Sequence, residues 1–148
     1  MRTIDVERGI EAQPDQVFDR LADHANYDRF PGIHRAGLLS EGDPPPNGLG
    51  AVRRIVSFPF RFDEEITAFE RPTRLDYQIV RINAPYVHHG ASIRLLEDRG
   101  RTIVSWTSRF SVPGPLGGLQ ERVWELMLAR GFRRVLADIR RSLTEPAG

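Results

Sequence analysis

The sequence predicts an α+β domain, an antiparallel sheet of seven strands with its helices gathered on one side. Apolar and polar residues alternate in runs split by short Pro-, Gly- and Asn-containing breaks. Such brief connections suit antiparallel neighbours, not parallel crossovers. Helical spacing follows the first run and returns, over a much longer stretch, towards the C-terminus. A chain of 148 residues suits one domain, residues 1–148. At that size it buries roughly 68–70% of its unfolded surface, enough for a core or for a core with a hollow in it.

Each element has its own signal. Ile4, Val6 and Ile10 alternate with charges over residues 3–12, the pattern of a half-buried strand. Pro14 and Asp15 then suit a first helical turn, and Val17, Phe18, Leu21, Ala22 and Ala25 follow at helical spacing. A second short helical segment carries Tyr27 and Phe30 and stops at Pro31-Gly32. Six further strands are divided by Asp43–Gly48, Phe58-Pro59-Phe60, Arg71-Pro72-Thr73, Asn83-Ala84-Pro85 and Asp98-Arg99-Gly100. After the Pro113–Gly118 loop, one helix is expected from Leu119 to Leu143. Its apolar face would be Leu119, Val123, Leu126, Met127, Phe132, Val135, Leu136, Ile139 and Leu143.

Composition narrows the function classes. There is no cysteine, so disulfides, thiolate metal sites and thiol nucleophiles are excluded. All 21 basic residues are arginine, but 20 acids leave a net charge of +1. Nucleic-acid binding calls for a far larger excess or a basic stripe, so no nucleic-acid partner is expected. No run approaches the ~20 apolar residues of a membrane span, and nothing near Met1 reads as a signal peptide. The expectation is a cytoplasmic protein without an integral membrane segment. His88 and His89 are adjacent on a strand and point to opposite faces, and no His-x-His or His-Glu-x-x-His spacing occurs. Neither a metal nor a cofactor is expected.

The order of elements resembles the helix-grip fold of the START/SRPBCC superfamily, which includes polyketide cyclases and coenzyme Q-binding proteins. Three stretches carry the resemblance: Ala12–Phe18 through Leu21-Ala22-Asp23 to Phe30-Pro31, then Gly100–Thr107, and the Gly-rich loop before a terminal helix containing Leu126-Met127. The resemblance spans essentially the whole chain. It implies a curved seven-stranded antiparallel sheet wrapped around the long C-terminal helix, with two short helices after the first strand. It also implies an apolar cavity between sheet and helix.

Strand register indicates which side chains would face that cavity. With Arg99-Gly100 at a hairpin tip, Leu95 pairs with Val104, Ile93 with Trp106, Ala91 with Ser108 and His89 with Phe110. Leu75, Tyr77 and Ile79 share a face, and a turn at Phe58–Arg61 sets Ile55 opposite Glu64 and Ser57 opposite Phe62. The inward polar set is then Glu64 (or Glu65 after a one-residue shift), Tyr77, His89 and Arg53. By resemblance, Tyr77, Ile79, His89, Ala91 and Trp106 line the cavity from the sheet, and Val123, Met127 and Gly131 from the last helix. Trp106 and Phe110 fit either a plain core or a ligand wall. The resemblance also sets Phe58-Pro59-Phe60 and Asn83–Tyr86 at the cavity mouth, where their aromatic residues would form a lid.

The leading expectation is a binding or carrier protein for a hydrophobic small molecule: a lipid, a polyprenyl quinone or a polycyclic aromatic. Hydrophobic burial would supply affinity, and Glu64, Tyr77 and His89 would orient the ligand. One alternative is a polyketide cyclase/aromatase-like enzyme, with His89 or Tyr77 moving a proton and Arg53 polarising a carbonyl. Another is a partner-binding module, and a homodimer is left open. No nucleophile–base–orienter triad is visible, which weighs against strong catalysis.

Overall fold

The computed structural model describes residues 1–144. Strand β1 (Arg2–Ile10) leads into helix α1 (Pro14–Leu21) and a 3-10 helix (His24–Arg29). Strands β2 (Arg35–Ser40), β3 (Val52–Ser57), β4 (Phe60–Glu70), β5 (Arg74–Ile82), β6 (Val87–Asp98) and β7 (Arg101–Ser111) follow, and helix α2 (Gly117–Thr144) ends the chain. All seven strands form one antiparallel sheet in the order β1-β7-β6-β5-β4-β3-β2. Each strand from β2 to β7 thus pairs with its neighbour in sequence, as the short breaks predicted, and β1 closes against β7. This is the expected helix-grip arrangement.

Local chemistry accounts for the borders. Pro14 opens α1, where its missing N–H costs nothing, and the Gln16 side chain accepts from the Gln13 N–H at 3.2 Å. Arg99 and Gly100 take φ of 56° and 83° at the β6–β7 turn, the left-handed pair that a two-residue hairpin needs. The core on the sheet's inner face includes Val6, Leu75, Ile93, Val104 and Phe110, closed by Val17, Phe18 and Leu21 of α1 and by Val135, Leu136 and Ile139 of α2. Among the described residues no helix is long and apolar enough to cross a membrane.

Two register expectations change. The β3–β4 turn contains only Phe58 and Pro59, so Ile55 pairs with Phe62, Ser57 with Phe60, and Arg53 with Glu64. This slip is even, so every side chain keeps its face. On β6 the pairs Leu95–Val104, Ile93–Trp106 and Ala91–Ser108 stand as expected, but a bulge lies between Ala91 and His88, where Gly90 has φ +108°. The bulge sets His88, not His89, opposite Phe110. His88 is buried and His89 lies exposed on the outer face.

The first half of the α2 apolar stripe also differs, while Phe132, Val135, Leu136, Ile139 and Leu143 pack as expected. Leu119, Val123 and Leu126 are 66%, 58% and 57% exposed, while Trp124, Leu128, Phe132, Val135 and Ile139 turn inward. Both sets have helical spacing, and the aromatic one meets the sheet.

Candidate functional site

Between the sheet and the middle of α2 lies a cavity of about 370 Å³. That falls at the lower end of the ~300–1,000 Å³ typical of small-molecule sites. Arg53 and Ile55 of β3, Phe62 and Glu64 of β4, Tyr77 of β5 and Trp106 of β7 form its sheet side. Helix α2 supplies Trp124, Met127, Leu128, Gly131, Phe132 and Val135, with Arg130 and Arg134 along one border. Tyr27 of the 3-10 helix and the Pro31–Ile33 loop complete the wall. Aromatic contacts brace it: Trp106 stacks on Phe132 at 4.2 Å between centroids, and Phe60 meets Trp124 at 4.6 Å. An ideal Cβ on Gly131 would meet no atom within 4 Å, so this helix position opens directly onto free space.

The buried polar groups of the cavity form one cluster, apart from Ser57 and the bordering Arg130 and Arg134. Arg53 Nε donates to Glu64 Oε1 at 2.7 Å, and the two side chains are 1% and 5% exposed. Arg53 Nη1 donates to His24 Nδ1 at 3.1 Å, while the guanidinium sits 4.4 Å from the Tyr27 ring centroid and 5.1 Å from that of Tyr77. These partners compensate a burial that would otherwise be costly for a cation. Desolvation raises the Glu64 carboxyl above its ordinary value, and the adjacent guanidinium offsets this only in part. The close N–H···O bond to the guanidinium favours the ionised carboxylate over the neutral acid. Burial raises the Tyr77 phenol well above its usual range, so it stays protonated. Its oxygen accepts from Trp106 Nε1 at 3.0 Å.

Two buried histidines are held neutral. His24 Nε2 donates to the Asn47 carbonyl at 2.9 Å, leaving Nδ1 to accept from Arg53. Burial, followed by the neighbouring Arg53 charge, lowers its pKa to about 3. His88 Nδ1 accepts the Ile79 backbone N–H at 2.8 Å, which leaves Nε2–H to donate to Ser108 Oγ at 3.1 Å. Burial, with a smaller contribution from His89, lowers its pKa to about 4. Among the described residues no group of three or more His, Asp or Glu is placed to hold a metal ion.

Of the residues picked out from sequence, Arg53, Ile55, Phe62, Glu64, Tyr77, Trp106, Met127 and Gly131 line the cavity. Glu64, not Glu65, is the inward carboxylate. The others lie elsewhere. His89 faces outward, with Nε2 2.9 Å from Ser111 Oγ, because of the Gly90 bulge. Val123 is on the exposed side of α2. Ala91 and Phe110 are buried core outside the cavity, Phe110 stacking on Tyr86 at 5.0 Å. Ile79 packs against the core beside the His88 ring, which bonds its N–H. Of the expected lid, Phe58 is 80% exposed and Phe60 lines the cavity, but Tyr86 is buried against Phe110 and Trp124.

Sequence reasoning did not single out His24, Tyr27 or Trp124 for the site, and it placed Phe132 only on the apolar face of the last helix. The i, i+4, i+8 spacing of Trp124, Leu128 and Phe132 was a readable signal, overshadowed by the equally periodic leucine and valine stripe. His24 had none, because only tertiary folding brings the start of the 3-10 helix beneath β3.

Comparison with known proteins agrees with this geometry. The family model described as polyketide cyclase / dehydrase and lipid transport matches residues 1–144. Among solved structures, a START superfamily protein from Mycobacterium smegmatis is 10% identical with a TM-score of 0.78, over 96% of this chain and 99% of that one. The protein XoxI from Bacillus cereus is 15% identical with a TM-score of 0.76, over 98% and 97%. The Aha1 dimer from Colwellia psychrerythraea is 15% identical with a TM-score of 0.69, over 100% of both chains. No curated protein matches the chain. With its fold, its cavity between sheet and terminal helix, and a family match over nearly all its length, the chain belongs to the polyketide cyclase / dehydrase and lipid transport family of the START/SRPBCC superfamily.

Proposed function

We propose that this protein binds and carries a hydrophobic small molecule in the cavity beneath α2, within the range of a lipid, a polyprenyl quinone or a polycyclic aromatic. The observation that carries this reading is the cavity of about 370 Å³, walled mainly by aromatic and aliphatic side chains, with a buried polar cluster around Arg53 and two arginines of α2 at its border. Mostly apolar walls supply affinity by burial, and a few polar groups fix orientation. Native mass spectrometry of protein purified without denaturation tests it. The expected result is an adduct of a small apolar molecule, absent from a Gly131→Trp variant whose cavity is filled. A protein that is consistently empty, and whose thermal midpoint no apolar compound raises, would contradict it.

A second reading, cyclisation or dehydration of a poly-β-carbonyl substrate, is favoured by the convergence of Arg53 and Tyr77 on one cavity. Here Arg53 polarises a carbonyl and the protonated Tyr77 hydroxyl acts as a donor. The exposed His89 drops out of this chemistry. Tyr77→Phe should abolish product formation from a poly-β-ketone substrate, and unchanged turnover would remove Tyr77 from the reaction.

A further inference from the structure

The Arg53–Glu64 pair is joined by a single hydrogen bond, Nε to Oε1. The second N–H···O bond of a fork pairing is not made. Arg53 Nη1 is committed to His24 Nδ1 and, at 3.5 Å, the Leu21 carbonyl. Nη2 of Arg53 and Oε2 of Glu64 have no hydrogen-bond partner among the described residues. Neither is among the buried side-chain atoms that are both unpartnered and sealed off, which are Arg8 Nε, Asp76 Oδ1 and Ser92 Oγ. Both residues line the cavity, and the two unpartnered atoms are not sealed off. The ion pair is already neutral as a unit.

These facts restrict a ligand. A hydrocarbon pressed against the pair would strip water from a charged N–H and a charged oxygen and return no hydrogen bond. An anion would satisfy Nη2 but confront Oε2, and a cation would do the reverse. An ether or ketone accepts from Nη2 and leaves Oε2 unpaired. A hydroxyl matches both: its oxygen accepts from Nη2 while its O–H donates to Oε2. Building on the ligand-binding reading above, we propose that the cavity selects an apolar molecule bearing an uncharged hydroxyl, an alcohol or a phenol, seated between Arg53 and Glu64.

The test compares four probes of one shape (naphthalene, 2-methoxynaphthalene, 2-naphthol and 2-naphthoate) by calorimetric titration at pH 7. The wild-type protein should bind 2-naphthol about tenfold to a hundredfold tighter than the other three, the range expected for hydrogen bonds to charged groups. In Glu64→Gln the acceptor facing the cavity becomes a donor and Arg53 loses its counter-charge. There 2-naphthoate should become the tightest of the four and should raise the variant's thermal midpoint most. Gly131→Trp should abolish binding of every probe, which locates the binding in this cavity. Equal wild-type affinities for naphthalene, 2-methoxynaphthalene and 2-naphthol would overturn the hydroxyl requirement while leaving the ligand-binding reading in place. Preference for 2-naphthoate in the wild type would also overturn it. If no probe bound at all, the hydroxyl proposal would fall, and native mass spectrometry would decide the ligand-binding reading separately. The wild-type ranking is decisive even if Glu64→Gln folds poorly.

Discussion

Replacing Arg53 with Met should unbalance the centre of the site, with a pH signature that distinguishes a buried ion pair from a surface one. Arg53 and Glu64 side chains are 1% and 5% exposed and bonded at 2.7 Å. Removing one member of such a pair leaves the other charge uncompensated, at about 3–5 kcal/mol. The loss should therefore be about 4 kcal/mol at pH 7. Its pH dependence follows from what remains. Glu64, already raised by burial, loses the guanidinium that pulls it down, so its folded pKa climbs further above the unfolded value. A group raised in the folded state contributes stability below its unfolded pKa and loses that contribution as pH rises through its folded pKa. The deficit of Arg53→Met should accordingly shrink by about 2 kcal/mol between pH 7 and pH 5. His24 adds to the same trend, since Arg53 is one of the two causes that depress it. Urea unfolding of wild type and variant at both pH values measures this. An Arg53→Met/Glu64→Leu double variant, with no charge left to strand, should recover to within about 2 kcal/mol of wild type. A single-variant deficit below about 1 kcal/mol that does not change with pH would refute the reasoning, because it is what a solvated pair would give.

Other expectations follow from the same contacts. The wild type should lose stability in acid, since His24 and His88 are depressed to about 3 and about 4. Each contributes stability above the unfolded histidine value that falls away on acidification, about 2 kcal/mol apiece by pH 5. Urea midpoints across this range check the total, and His88→Gln should remove its share of the slope. Gly90→Ala should cost about 1–2 kcal/mol in chemical denaturation, because φ of +108° is a region a side chain resists. Gln substitutions at Leu119, Val123 and Leu126 should each shift unfolding free energy by less than about 0.5 kcal/mol, since those side chains are exposed.

What could be read from sequence depended on the parity of each uncertainty. The hairpin between β6 and β7 was legible from Arg99-Gly100 through Ala91, because period-two alternation and the turn agreed. An error of two residues at the β3–β4 turn was harmless to the face, and Arg53, Ile55, Phe62 and Glu64 still lined the cavity. It did conceal that Arg53 stands directly opposite Glu64. One extra residue at Gly90 did the reverse, exchanging His88 for His89, and a lone glycine in a strand gives too little warning of a bulge. On the first half of α2 two periodic stripes competed, and only the shape of the sheet decides in favour of Trp124 and Leu128 over Leu119 and Val123, whereas Phe132, Val135, Leu136 and Ile139 stand on the expected face. His24 joins the site through a long-range contact that no local pattern encodes.

The space reached at Gly131 is proposed to take up one apolar molecule. The direct measurement is calorimetric titration of 2-naphthol into the wild type and into Gly131→Trp, with the thermal midpoint of each as a check on folding. The account predicts saturable one-to-one binding with a negative heat-capacity change in the wild type. It predicts no binding in the variant, whose midpoint is preserved because a central helix glycine has been replaced by a better helix former. Equal affinity in both proteins would place the ligand outside the cavity and contradict the account.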